Sequence, residues 1–270
     1  MPKKKRIIIL LEVIFLLFLM NVSLVNGPTQ KDVILSRKSM DEITVDGVLD
    51  PHEWINGTNY KVKLYDILDQ TNTKEIWVKS VFYHDKLFIG ITLEDIDPTN
   101  DFIAIIFRNN ETSPMIIEIS GLFWFFYGHD YKGLYIDSNT AQDAYLNYEG
   151  IGYENDTKVG GTNDLIAMSH INSTFTTCEF EMPLDSGDTN GFDFKLDLGD
   201  SIDIIFYYRE VESLAVYSQL REDDGDFDYN VLKIIDPDAF YIDISIGNYI
   251  IMISSCVIVI VIIRKKRKVM

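Results

Sequence analysis

Apolar and polar side chains alternate with a period of two through most of the middle of the chain. Residues 60–65 interleave Lys61 and Lys63 with Val62 and Leu64, and Cys178-Glu179-Phe180-Glu181-Met182 interleaves acidic with apolar side chains. That period puts successive side chains on opposite faces of a strand. Further β-rich runs cover 75–83, 87–93, 102–107, 115–119, 122–127, 165–170, 202–208, 214–217 and 231–235, with a shorter one at Ile43-Thr44-Val45 before Asp46-Gly47. His84-Asp85-Lys86, between two such runs, reads as a hairpin turn. Gly, Asn and Asp clusters separate the runs at short spacing, and nothing between residues 28 and 241 sustains a helical period. The expected fold class is all-β, an antiparallel β-sandwich, with a closed barrel as the alternative.

Two runs break the alternation. Residues 7–20 are apolar apart from Glu12 and follow Lys3-Lys4-Lys5-Arg6, the form of a signal peptide over residues 1–27. Residues 244–263 are apolar, with Asn248 as the only strongly polar side chain, and Arg264-Lys265-Lys266-Arg267-Lys268 follow at once. About 20 residues at about 1.5 Å each span the roughly 30 Å of a bilayer core, and a basic flank marks the cytoplasmic side. The expected organisation is a signal peptide at 1–27, an extracellular domain at 28–241, a transmembrane helix at 242–263 and a cytoplasmic tail at 264–270. An uncleaved leader would leave two spans and the same outer domain.

Charge sharpens this picture. The two basic ends carry +3 and +5, so everything between them holds −26 of the net −18. So acidic a surface repels nucleic acid and anionic headgroups and suits cations. The bilayer is an expected partner through the span alone. Cys178 and Cys256 are the only cysteines, so no disulfide can staple the outer domain. The phase of Cys178 points it inward with Phe180 and Met182, a structural position rather than a reactive one. Four sequons, at Asn56, Asn110, Asn155 and Asn172, lie at expected loops or strand edges and fit N-glycosylation of an exported domain.

Three stretches resemble a known superfamily in their order. Asp46-Gly47-Val48-Leu49-Asp50-Pro51-His52-Glu53-Trp54 is similar to the opening of DOMON-like domains and family 9 carbohydrate-binding modules. Ile76-Trp77-Val78 through Tyr83-His84-Asp85-Lys86-Leu87-Phe88-Ile89-Gly90 to Glu94-Asp95 resembles their hairpin with an acidic end. Phe180-Glu181-Met182-Pro183-Leu184, then Ser186-Gly187-Asp188 and Leu198-Gly199-Asp200-Ser201-Ile202, resembles their late strand and Gly-Asp turn. The resemblance implies a β-sandwich whose ligand is a sugar or haem.

Candidate residues follow. Leu122-Phe123-Trp124-Phe125-Phe126-Tyr127 is aromatic on both faces of its strand, so Trp124 and Phe126 could stack on a flat ligand. Trp77 and Tyr83 share a face of their own strand and are the second aromatic pair; Trp54 is expected to plug the core beside the Asp-Gly turn. For haem, the resemblance implies a Met and a His or Lys on the iron. Met115 lies in roughly the right region and His170 on a strand, while no His follows Tyr208, which leaves Lys233 as a substitute. Asp224, Asp226 and Asp228, with Asn230 in phase, could converge on Ca²⁺, and Asp95, Asp97 and Asp101 form a weaker cluster. No nucleophile elbow, metal-binding His pair or phosphate loop appears. The expected function is non-catalytic: carbohydrate or surface recognition by a membrane-anchored module. A haem-bearing electron-transfer domain and a structural adhesion protein are the alternatives.

Overall fold

The structure is a computed structural model. It describes residues 33–66, 69, 71–95, 97–108, 116–119, 123–126, 129–147, 152–188, 193–211, 215–219 and 230–235. The chain divides into two units, Met1–Ile235 and Asp236–Met270, and every described residue belongs to the first. The apolar runs at both ends, and the leader, span and tail expected from them, lie outside the described residues. Among the described residues no helix is long and apolar enough to cross a membrane.

The fold is all-β. In chain order the strands are β1 Val33–Lys38, β2 Tyr60–Asp66, β3 Thr73–Tyr83, β4 Lys86–Leu93, β5 Phe102–Phe107, β6 Ile116–Ile119, β7 Phe123–Phe126, β8 Asp130–Tyr135, β9 Thr140–Asn147 and β10 Gly152–Asn155. A short 3₁₀ turn, Asp156–Lys158, precedes β11 Ile166–Ile171, β12 Thr176–Pro183, β13 Ser201–Glu210, β14 Ala215–Ser218 and β15 Asn230–Ile234. One ladder runs β10-β9-β8-β5-β13-β14-β2-β3-β4-β12-β11, and β6 pairs with β7 in a ladder of their own. As the turn signal predicts, β3 and β4 form a hairpin with Tyr83 opposite Lys86 and His84 at a φ of 54°.

The expectation of a purely antiparallel sheet needs one correction. β1 runs parallel to β15 through Val33–Ser36, then parallel to β3 at Arg37 and Lys38. β15 in turn pairs with β13. The pairings β13-β15-β1-β3-β2-β14-β13 therefore close into a ring of six strands. Parallel pairing needs a long connection, and nearly the whole described chain lies between β1 and β15. Closure removes free edges there, while β10 and β11 end the open part of the ladder.

Two halves of the ladder share one apolar core. Ile76, Leu87 and Ile91 of β3 and β4 and Phe180 of β12 meet Ile103 and Ile105 of β5 and Phe206 of β13, all 0 % exposed. Each such side chain contributes about 1.5–3 kcal/mol by leaving water. Cys178 and Met182 lie in the same core at 0 %, as their phase predicts. Ile43-Thr44-Val45 is not a strand. Ile43 instead plugs a smaller cluster with Trp54, Val81 and Phe88.

Candidate functional site

The Asp-Gly turn and Trp54 meet at a carboxylate that the alternation of β12 places on the outer face. Glu179 is nonetheless 0 % exposed, because the 46–54 segment folds over it. The Asp46 and Gly47 amides both donate to its Oε2 at 2.9 Å, and Trp54 Nε1 donates to Oε1 at 2.8 Å. Burial pushes the Glu179 carboxyl up, and these three donors pull it back. Two glycines make the approach feasible. Gly47 has a φ of 86°, and a Cβ there would lie 2.4 Å from the Ser169 carbonyl carbon; a Cβ on Gly90 would lie 2.4 Å from Leu49 Cδ2 and 3.1 Å from Trp54 Cη2.

This latch walls one side of a groove of about 550 Å³. The groove floor is a row of side chains at one register across the sheet. Trp77 of β3 sits opposite Thr92 of β4, Thr92 opposite Thr177 of β12, and Thr177 opposite His170 of β11. Three strand spacings carry this row across about 14 Å. Val48 and Leu49 of the latch border it, and Asn172 and Phe175 of the β11–β12 connection close its far end. Thr177 Oγ1 donates to Gly47 O at 2.6 Å, tying floor to wall. Asn172 Oδ1 accepts from the Thr174 and Phe175 amides at 2.8 Å, which fixes that rim. Lys61, opposite Trp77 on β2, stands 5.8 Å from the indole centroid and pairs with Glu75 at 2.6 Å. The result is an open trough with one broad ring, flanked by hydroxyl, imidazole, amide, ammonium and carboxylate groups. Such a lining offers a stacking surface and both donors and acceptors.

The sequence-derived candidates separate in space. Trp77 and His170 come together in the groove. Tyr83, on the same face as Trp77, packs instead on the Trp54 cluster, with its ring centroid 4.3 Å from that of His84. Trp124 and Phe126 lie on β7, opposite Glu118 and Ile116 of β6, and their side chains lie outside the description. Met115, the proposed iron partner of His170, lies outside the described residues, as do Asp224, Asp226, Asp228 and Asn110. Lys233 is on β15. Of the sequons, Asn56 is half-buried and donates to Lys38 O at 2.9 Å, Asn155 is exposed before the 3₁₀ turn, and exposed Asn172 is the groove rim. The sequence does not single out Thr92, Thr177, Lys79 or Phe175; for the three on strands the signal is phase, since each falls on the same outward face as Trp77 or His170.

Two groups of carboxylates converge among the described residues: Asp95, Asp101 and Glu210, and Asp130, Asp143, Asp156 and Asp193. The first group is closed by its own partners. The Tyr208 hydroxyl, with one proton to give, lies 2.6 Å from Asp95 Oδ2 and 2.5 Å from Asp101 Oδ2, and Lys74 Nζ reaches Asp95 at 3.1 Å and Glu210 at 2.8 Å. Asp97, expected with them, is exposed.

No family model and no curated protein matches the chain. Solved structures do match in fold. One, a "putative carbohydrate-binding protein" from Bacteroides uniformis, superposes with a TM-score of 0.50 at 8% identity, over 75% of this chain and 99% of its own.

Proposed function

We propose that this chain is a membrane-anchored, extracellular, non-catalytic module that binds carbohydrate in the Trp77 groove. The observation that carries the reading is the Trp77–Thr92–Thr177–His170 row: a half-buried indole continued by polar groups along one open trough. A pyranose ring offers an apolar face to an indole and hydroxyls at its rim, and this lining complements both. The fold-level likeness to a protein described as carbohydrate-binding agrees with it. So does the resemblance of the Asp46-Gly47 to Trp54 segment to family 9 modules and DOMON-like sandwiches. Membrane attachment rests on the apolar runs at 7–20 and 244–263 with their basic flanks. The absence of an established catalytic motif supports a binding role.

The test is a glycan array with the purified full-length protein, followed by titration of the best hit against Trp77→Ala. The reading expects saturable binding, weakened tenfold or more by the truncation, as for an interface aromatic that anchors its ligand. Absence of binding to any glycan, or binding untouched by Trp77→Ala and His170→Ala, would remove the groove as the site.

A further inference from the structure

Four aspartates pair with one lysine beside the β8-β9-β10 flank, and a fifth, Asp156, lies next to them. Lys132 Nζ on β8 lies 2.5 Å from Asp143, 3.0 Å from Asp193, 3.3 Å from Asp130 and 3.6 Å from Asp164. Lys132, Asp130 and Asp143 are each no more than 2 % exposed. Their carboxylates are only partly satisfied. Asp143 Oδ2 accepts from the Asp164 amide at 3.1 Å, and Asp130 Oδ2 from the Phe194 amide at 3.3 Å.

Asp156 is the group that this arrangement leaves unexplained. It is 1 % exposed, and neither of its carboxyl oxygens has a hydrogen-bond partner. Its backbone is held firmly, since its carbonyl accepts from the Val159 and Gly161 amides at 3.0 and 2.9 Å. The side chain nevertheless points inward. An oxygen of Asp156 and one each from Asp130, Asp143 and Asp193 all lie within 4.8 Å of one another. A buried carboxylate without a partner is among the costliest arrangements a fold can keep.

We infer that Asp130, Asp143, Asp156 and Asp193 form a binding site for a hard divalent cation of the calcium type, with Lys132 as a fixed neighbouring charge. Ca²⁺–oxygen bonds of about 2.3–2.6 Å allow ligands on one ion to lie up to about 4.6–5.2 Å apart, and these four oxygens, all within 4.8 Å of one another, fall inside that reach. A donor set of carboxylates alone selects a hard ion over soft or imidazole-seeking metals. One ammonium cannot balance five carboxylates, whereas an ammonium and a dication together approach balance. The ligands come from β8, β9, the 3₁₀ turn and the segment before β13. An ion there binds only the folded chain and joins the β8-β9-β10 flank to the rest. This site is independent of the groove and of the Asp224, Asp226 and Asp228 stretch.

Calorimetric titration of Ca²⁺ into chelator-stripped full-length protein in detergent tests this, beside melting curves in Ca²⁺ and in chelator. The expected result is a saturable event and a melting temperature about 5 °C higher at a hundredfold excess over Kd. Asp156→Asn, which keeps shape and removes charge, should lose affinity at least tenfold and abolish the thermal shift. Asp193→Asn, on a loop rather than in a strand, should weaken the same event. Wild-type protein that melts identically in Ca²⁺ and chelator and shows no saturable binding would overturn the assignment. Binding and thermal shift left undiminished by both variants would place the ion elsewhere and overturn it equally.

Discussion

Two of the regions that bury carboxylates in this domain settle the cost in different ways. At the groove wall, Glu179 is a single acid facing three N–H donors from Trp54 and the Asp46-Gly47 turn. Around Lys132, five acids face one ammonium, and Asp156 has no donor at all. In the first region neutral dipoles of the chain itself satisfy the charge, so its stability is built into the fold. In the second the chain supplies more acids than its one ammonium can balance, so stability depends on the protons or cations that the solution supplies. One region should respond to mutation and ignore ions; the other should respond to both.

The largest effect expected from that contrast is Trp54→Ala. It opens a cavity at a site 1 % exposed and strips Glu179 of a donor, so denaturant unfolding should show a loss of about 4 kcal/mol. Ca²⁺ should not restore it. Full recovery in Ca²⁺ would erase the distinction between the regions. Next comes Lys132→Met, which leaves the aspartates without their ammonium. In chelator the loss should be about 3 kcal/mol, and Ca²⁺ should return part of it. A variant as stable as the wild type in chelator would show that the cluster does not depend on Lys132.

The smallest effect is a pH slope. Burial, with Asp143 and Asp193 close by and Lys132 opposing them, pushes the Asp130 carboxyl up to about 8. Burial and the neighbouring acids push Asp156 up to about 9, and burial pushes Asp164 up to about 7. The folded state then holds protons that the unfolded chain has already released, so stability falls as pH rises from the ordinary carboxylate range up to these values and levels off above them. His129, pushed down to about 4 by burial, contributes the opposite slope only below its unfolded value of about 6.5. Between pH 7 and 9 in chelator, the melting temperature should therefore decline, and saturating Ca²⁺ should flatten the decline. A flat profile in chelator would mean that the acids are not strained by burial, and the contrast would lose its electrostatic half.

The two regions also differ in how far the sequence reveals them. The β3–β4 hairpin, the inward phase of Cys178, Phe180 and Met182, and Trp54 as a core plug all follow from alternation and turn chemistry. Glu179 does not, because period two assigns it to solvent, and only the fold-over of the 46–54 segment buries it. The hydrophobic pattern does not reveal the strands β8, β9 and β10. Their inward positions hold Asp130, Lys132 and Asp143, so the polar residues fall where the rule expects apolar ones, and Gly133 and Ala141 weaken strand propensity further. A site that buries charge hides its own secondary structure from a hydrophobicity pattern. The groove falls between these cases: Trp77 and His170 were legible singly, but the row that joins them depends on strand order, which local pattern does not encode.

The parallel pairing of β1 with β15 carries a mechanical consequence. Val33 begins the first strand and Ile234 ends the last, and the two strands lie side by side pointing the same way. Tension applied between Val33 and Ile235 therefore pulls along the strands in opposite senses. It loads the rungs from Val33–Val231 to Ser36–Ile234 together, in shear, rather than peeling them apart one by one. Force entering at these two points is met by all four rungs at once.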